Sequence, residues 1–444
     1  MNAWHKAFLA STARLLGPKA RVVVGTSGGP DSQTLLHLLS TYAKELNIEA
    51  LWAVGIHHGL RAEAAGELKL AEQLATQLGV PFTSVAVQVD RKGNLLDAAR
   101  RVRYAALLKF AGEQHCNAVA VAHTATDQME TILLHLLRGC GLGGSRGMAR
   151  RRGKIVRPLL AWSRREILDY VRTTGLSFAN DPSNSDPRRA RAVLRQQVTP
   201  GLTSLSGRPE TGFSRYGRLA AADEQYLEEL AMAELDRRKG PIGSLALHDF
   251  AALPFPISSR VLRLWLRRHH QKAGYRASVA LAAATGSLWR TGHQRVGGLW
   301  IEHGFLWTTA KPERYAHDFA APGRLAIAQL DLTLVAKVGR SRRIAKGSGC
   351  IALDASKEHL PLRVRPWRQG DRIRPFGLNG HIKVGDLFTN RKIPRALRRL
   401  WPVVLCGDEI VWVVGLRRGA MAPITPKTRR ILTIAVEGQL PWSA

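Results

Sequence analysis

Two glycines, two serines and one aspartate stand together in Val22–Leu39, VVVGTSGGPDSQTLLHLL, and their order suits the handling of phosphate. Gly28 and Gly29 let a backbone approach a ligand closely and take conformations other residues resist. Ser27 and Ser32 add hydroxyl donors, and Asp31 is the acid that a magnesium ion on those phosphates would want. Pro30 suits the first position of a helix, where its missing N–H is an orphan anyway. The β-branched run before the turn reads as a buried strand, and the apolar-periodic run after it reads as a helix. Free N–H groups at a helix start attract anions, so the turn is built to hold phosphate. The common P-loop is excluded, because no Gly-Lys-Ser/Thr ending follows.

Two further clusters carry chemistry-bearing side chains. His57-His58-Gly59-Leu60-Arg61 ends the apolar run Ala50–Ile56, and AHTATDQMET, from Ala122, follows the apolar run Ala118–Ala122. Between them Asn94–Ala111 has the pattern of an amphipathic helix, with Arg100 and Arg103 three residues apart and therefore on one face. Ala64–Leu78 reads as another helix and Phe82–Val89 as a third strand. Strands alternating with helices predict a parallel sheet whose function lies at the carboxyl ends of its strands. Three of the motifs, Gly25–Ser32, His57–Arg61 and His123–Glu130, directly follow strands, so one crevice should collect them. Plainer readings stand beside these: the histidines can simply end a strand, the arginines can form a surface stripe, and Asp127 with Glu130 has the spacing of a capping box.

The chain as a whole is long and basic. Its 444 residues leave room for two to three domains, and 66 Lys+Arg against 34 Asp+Glu give a net charge of +32. Such an excess implies a polyanionic partner, most simply nucleic acid. Cys116, Cys140, Cys350 and Cys406 are far apart, with no C-x-x-C, so neither a zinc knuckle, an iron–sulfur framework nor a disulfide scaffold is indicated. No apolar run approaches the length of a membrane span. The first twenty residues lack acids, but the strand near Arg21 leaves them space only as an amphipathic helix. Cytoplasmic residence is the expectation.

Beyond the first clusters, Gly139–Arg152 reads as a mobile basic loop, Arg164–Thr173 as a helix and Ala179–Asp186 as a polar turn. Ser204–Gly217 reads as a loose linker, and Arg218 to about Arg295 as mainly helical. Val296–Thr308 predicts a hairpin divided at Gly304. The last hundred residues suggest a small α+β domain with a basic face, its tryptophans either core or stacking platforms. Three domains are therefore expected, at 1–205, 218–330 and 331–444.

SGGPDS matches the SGGxDS signature of the PP-loop ATP pyrophosphatases, which cleave ATP to AMP and pyrophosphate. The chain as a whole resembles the tRNA(Ile)-lysidine synthetase family. HHGLR at His57–Arg61 resembles that family's motif; Ala99, Arg100, Arg103 and Tyr104 match its ARxxRY, and His123, Asp127, Gln128, Glu130 and Thr131 match most of its AHHxDDQxET. Arg138-Gly139, Gly147-Met148, RPLL from Arg157, DPSNSD from Asp181 and, far downstream, GDRIRPFG, KIPRALRRLWPVV and VWVVGLR keep the family's order. The likeness is weakest between about Ser204 and Leu325.

The resemblance implies an adenine nucleotide alpha hydrolase-like α/β domain, a mainly helical middle and a small α+β carboxyl-terminal domain. It also implies ligation of free L-lysine to C2 of the wobble cytidine of isoleucine tRNA with a CAU anticodon, through an adenylated cytidine. The products would be lysidine, AMP and pyrophosphate, with codon specificity switched from AUG to AUA. ATP would lie on Thr26, Ser27, Gly28, Gly29, Pro30, Asp31, Ser32, His57, Arg61, Arg100 and His123. Asp31, Arg103, Asp127 and Glu130 would be catalytic, with Mg²⁺ on Asp31 and Asp127. Transfer RNA would meet Arg138 and a distal set: Arg363, Arg365, Arg368, Arg372, Arg374, Arg395, Arg398 and Arg399. A homodimer is kept open. Three positions depart from the family's pattern, Thr124 for His, Thr126 for an acid and Ala192 for Asn. If Thr126 sits where metal is held, coordination would rest on Asp31, Asp127, phosphate and water. A PP-loop tRNA thiolase and a catalytically impaired tRNA-binding homologue are the alternative readings.

Overall fold

A computed structural model describes residues 3–57, 64–89, 95–179, 190–269, 294–296, 299–308, 315–340, 349–355, 362–438, 440 and 442. It divides into two compact units, Met1–Gln225 and Tyr226–Ala444.

In the first unit the valines of β1 (Ala20–Thr26) are buried, so both faces of that strand need cover. The unit builds it with α1 (Ala3–Leu16), α2 (Pro30–Thr41), β2 (Ile48–His57), α3 (Ala64–Gln77), β3 (Phe82–Ala86), α4 (Leu95–Glu113) and β4 (Ala118–Ala120). There follow α5 (Ala125–Leu137), α6 (Leu142–Ser145), β5 (Arg151–Arg152), β6 (Ile155–Val156), α7 (Arg164–Thr174), α8 (Ala190–Val193) and α9 (Thr199–Ser206). Sheet order is β3-β2-β1-β4-β6-β5, parallel except for the edge strand β5. Val22 and Val24 pack with Leu35, Leu36 and Leu39 of α2, while Val23 packs with Leu107 of α4 on the opposite face. The chain runs outward from β1 to β2 and β3, then crosses back to place β4 on the other side of β1. That reversal makes a crevice at the carboxyl ends of β1 and β4, where open α/β sheets bind ligands.

Two loop expectations are corrected. Gly139–Arg152 is held, because the Gln128 side chain donates to the Met148 carbonyl at 3.0 Å and accepts from its N–H at 2.6 Å. Ser204–Gly217 is almost wholly helical: α9 ends at Ser206, Gly207 turns at φ +67°, and Pro209 opens α10 (Pro209–Arg237). Its Ser, Thr and Gly content concealed the helical spacing of Leu202, Leu205, Phe213 and Tyr216.

The second unit begins on α10. Ala231 and Leu235 of that helix pack with α11 (Phe255–Arg268) and with a sheet ordered β7-β10-β9-β8. Its strands are β7 (Leu245–Ala246), β8 (Gln294–Val296), β9 (Leu299–Glu302) and β10 (Phe305–Thr308). The expected hairpin is β9–β10, turning on His303 (φ 52°) and Gly304 (φ 77°), the paired positive angles that a two-residue hairpin favours.

Two antiparallel sheets complete the chain. One is β11-β15-β18-β19-β20, made of His317–Phe319, Leu362–Pro366, Pro402–Cys406, Glu409–Val413 and Arg417–Arg418. The other is β12-β13-β21-β14, made of Gly323–Ile327, Leu332–Gly339, Ile431–Glu437 and Cys350–Asp354. A ribbon of β16 (Arg372–Ile373) and β17 (Ile382–Lys383) leads into the helices α12 (Val384–Asn390) and α13 (Arg395–Arg398). Trp401 and Trp412 are buried, and Trp401 Nε1 donates to the Val414 carbonyl at 2.9 Å, so these two rings are core. No described helix is long and apolar enough to cross a membrane.

Candidate active site

The turn after β1 is fixed by close approach. Gly28 has φ +73°, and a Cβ there would lie 2.0 Å from the Glu67 carbonyl oxygen of α3. Only glycine fits. Gly29 caps α2 with Pro30 in its first turn. Ser32 Oγ donates to the Gly29 carbonyl at 3.0 Å and accepts from Ser27 N–H at 3.2 Å, tying the turn to the helix. Asp31, in the first turn of α2, lies 3.9 Å from Arg164 of α7. Burial, then the neighbouring Asp127, push its carboxyl up to about 6, against the pull of Arg164 and Arg195.

After β4 the helix starts three residues earlier than the Asp127/Glu130 spacing suggested. Thr124 is the N-cap: its Oγ accepts from Asp127 N–H at 3.4 Å, and Asp127 Oδ2 accepts from Thr124 N–H at 2.9 Å. The capping box is therefore Thr124 with Asp127, and Glu130 plays no part in it. Glu130 is fully buried. Arg195 Nε donates to its Oε1 at 2.5 Å, Arg195 Nη2 to its Oε2 at 3.2 Å, and the same Nη2 to Asp127 Oδ1 at 3.1 Å. Arg191 Nη1 lies 3.9 Å from both carboxylates. Burial raises Glu130 while Arg195 opposes it. Burial also works against the Arg195 charge, but Glu130 and Asp127 outweigh it and the guanidinium is held above its ordinary value.

Arg195 reaches these acids from a π turn, Leu194–Val198, between α8 and α9. Such turns insert a residue into a helix and frequently mark functional sites. Thr126 serves a different end: its hydroxyl accepts from Arg164 N–H at 3.2 Å, at the first turn of α7. The departure from an acid at Thr126 thus supplies a helix-terminal acceptor.

The α4 arginines meet the β4 loop. Arg100 Nη2 lies 3.4 Å from His123 Nε2 and 3.3 Å from the Tyr104 hydroxyl, with its guanidinium 5.2 Å from the Tyr104 ring centre. Arg103 stands 5.7 Å from the same ring, and burial lowers its pKa. Burial drives His123 down to about 3 despite Asp127, so its imidazole is neutral. His57 ends β2 half-buried, its carbonyl accepting from Val87 N–H at 2.9 Å. Arg61, with His58–Leu60, and the DPSNSD stretch lie outside the described residues.

Three buried atoms of these motifs, Thr26 Oγ1, Asp31 Oδ1 and His123 Nδ1, have no hydrogen-bond partner among the described residues. Asp31 Oδ1 is the atom a magnesium ion would take. Among the described residues no three His, Cys, Asp or Glu side chains gather as a metal cage. Mg²⁺ commonly rests on one or two carboxylates plus substrate phosphate, so the residues present fit it. Asp127 is less available, with Oδ2 in the cap and Oδ1 on Arg195.

Sequence reasoning missed Arg164, Arg191 and Arg195. Arg191 and Arg195 carry the signal of a one-turn spacing in RAVLR, but nothing in the sequence reveals which acids they meet. Of the arginines expected on tRNA, Arg138 is exposed just after α5, and Arg363, Arg368, Arg372, Arg374, Arg395 and Arg399 are exposed in the second unit. Arg365 instead pairs through two nitrogens with Asp371, at 2.8 and 2.9 Å, and Arg398 Nε donates to the Ile393 carbonyl at 2.9 Å. These two guanidinium groups are part of the fold's own hydrogen bonding.

A parallel sheet with a glycine turn and an acid at its strand-order reversal defines a PP-loop protein, and residues 5–202 match the family model of the PP-loop domain. Residues 362–433 match the TilS substrate C-terminal domain. The tRNA(Ile)-lysidine synthase of Geobacter sulfurreducens is 32% identical, over 95% of this chain and 94% of the relative. That of Geobacillus kaustophilus is 31% identical, over 92% of this chain and 93% of the relative. A crystallised TilS C-terminal domain is 29% identical over 28% of this chain and 97% of that one, with a TM-score of 0.27. The chain belongs to the tRNA(Ile)-lysidine synthase family.

Proposed function

We propose that this chain ligates free L-lysine to C2 of the wobble cytidine in isoleucine tRNA bearing a CAU anticodon, consuming ATP and releasing AMP and pyrophosphate. One observation carries the reading. The glycine turn and Asp31 open into the same crevice as a carboxylate pair, buried Glu130 and half-buried Asp127, that already grips a long-chain cation, Arg195.

A cytidine C2 oxygen cannot leave as it stands, and adenylation turns it into a phosphate ester that can. Backbone N–H groups at the start of α2 would meet the phosphates, with Arg100 and Arg103 as further positive charge. Mg²⁺, held by Asp31 and phosphate oxygens, would supply charge for the pyrophosphate being expelled. Glu130 and Asp127 suit the ammonium of the incoming lysine, in the place Arg195 occupies. The lysine amine has an ordinary pKa of about 10.4 and must shed a proton before attack. A carboxylate raised by burial, as Glu130 is, makes a better base than an exposed one. An anticodon loop yields a base from its stack at small cost, which lets cytidine enter.

The test is incubation with ATP, Mg²⁺, labelled lysine and bulk tRNA. Label in tRNA together with AMP and pyrophosphate supports the reading. ADP with phosphate, or incorporation that demands a sulfur donor, overturns it.

A further inference from the structure

Beside the crevice, α5, α9 and the start of α10 enclose an open groove of about 720 Å³. Its walls include Leu136, Leu202, Phe213 and Tyr216, with Arg208 and Arg215 also lining it and no acid among the lining residues. Leu205, which also lines it, is 85% exposed, and the adjacent Leu137 is 76% exposed. Side chains of that kind left in water mark an interaction surface.

Both long walls start at the acid pair. Helix α5 carries Asp127 and Glu130 in its first half and Leu136 near its end. Helix α9 continues directly from the π turn that presents Arg195 to those same acids. At the rise of an α-helix, Glu130 and Leu136 are separated by about 9 Å along the axis. A chain whose reacting unit lies at Glu130 therefore meets the groove with its next one or two units. Tyr216 is fixed there, its hydroxyl donating to Ser145 Oγ at 2.9 Å. A fixed aromatic ring, apolar walls and two exposed arginines in a lining that holds no acid are the parts of a single-strand nucleic-acid platform, where bases stack and phosphates meet guanidinium.

We infer that this groove binds the nucleotides flanking the target cytidine, as unstacked bases of a single-stranded RNA loop. The inference rests on the proposed tRNA reaction and adds to it a place where the neighbouring bases lie. Basic lining favours RNA over a second copy of the chain, which would bring its own arginines to the same groove.

The test uses the full-length chain and two RNA probes, an anticodon stem-loop containing the CAU triplet and a duplex of the same stem without its loop. Arg208→Glu with Arg215→Glu changes two exposed side chains, and Phe213→Ala removes an aromatic wall. Each variant should bind the stem-loop roughly tenfold or more weakly, with duplex binding altered much less and ATP binding and melting temperature kept. 2-Aminopurine placed beside the cytidine should change its fluorescence on binding the wild type and lose that change with Phe213→Ala. Equal stem-loop affinity of the variants and the wild type overturns the inference. So does a fall in self-association, measured by sedimentation, with RNA affinity unchanged, which would make the groove a surface for a second copy. Failure of the wild type to place lysine on tRNA would sink the proposed function, while the stem-loop titration would still score the groove.

Discussion

Arginine does different work in the two units. In the crevice of the first, Arg164, Arg191 and Arg195 each stand within 3.9 Å of a carboxylate, and Arg195 is shared between two. In the second, Arg368, Arg372, Arg374 and Arg399 are exposed, while Arg365 is taken by Asp371. Composition counts all of these alike as part of +32. Partners separate them: an arginine paired with an acid is spent inside the protein, on the crevice at Arg195 and on the fold at Arg365, and an exposed one offers charge to a polyanion.

Measurement can break or sharpen this contrast. Asp31→Asn should lower turnover on the order of a thousandfold while tRNA affinity stays nearly unchanged, because the exposed arginines lie elsewhere. Pyrophosphate release and filter binding read the two effects, and a parallel loss of both would erase the division. Glu130→Gln should raise the lysine concentration needed about ten- to a hundredfold, since a charge-assisted contact in a dry site is lost. Arg195 keeps Asp127 at 3.1 Å in that variant, so the fold and ATP-dependent adenylation of tRNA should survive. An unaltered lysine saturation curve would remove Glu130 from the lysine site.

In the second unit, Arg372→Ala with Arg374→Ala should weaken tRNA binding and reduce its log–log salt slope by about 2, near one per lost phosphate contact. Arg365→Ala should lower the melting temperature and leave that slope alone; the opposite assignment would show that exposure is a poor guide here. The Asp31 carboxyl, at about 6, holds a proton below that pH. In titrations across pH 5–7, Mg²⁺-dependent ATP affinity should fall by up to about tenfold per unit below pH 6. The same shift favours the folded chain as pH falls from about 6 toward the ordinary 3.8. Least of all, Thr126→Ala should remove one acceptor from the start of α7 and lower stability by about 0.5–1.5 kcal/mol, with turnover unchanged. Calorimetry beside a turnover assay checks it, and a large kinetic loss would return Thr126 to the site.

The sheet was legible because its strands are short apolar runs and three of them end in a chemistry-bearing motif, so Asp31, His123 and Asp127 could be assigned to one crevice. Helix boundaries were less so. Asp127 and Glu130 have the right spacing for a cap, but the backbone starts the helix at Ala125, and only three-dimensional burial distinguishes the two acids. The helices around Ser206 were hidden by their Ser, Thr and Gly content, which reads as a linker. Arg195 could not be seen as a site residue, since its partners lie more than sixty positions earlier and a π turn sets its direction.

Asp127 answers to two masters. One oxygen closes the capping box that starts α5, and the other meets Arg195. Selection for folding alone would therefore keep an aspartate here after catalysis had been lost. Among descendants of this chain, Asp127 would be a poor marker of a living enzyme. Asp31, with a buried oxygen that no described residue satisfies, would be the first to drift, whereas Glu130 is kept by its buried pairing with Arg195.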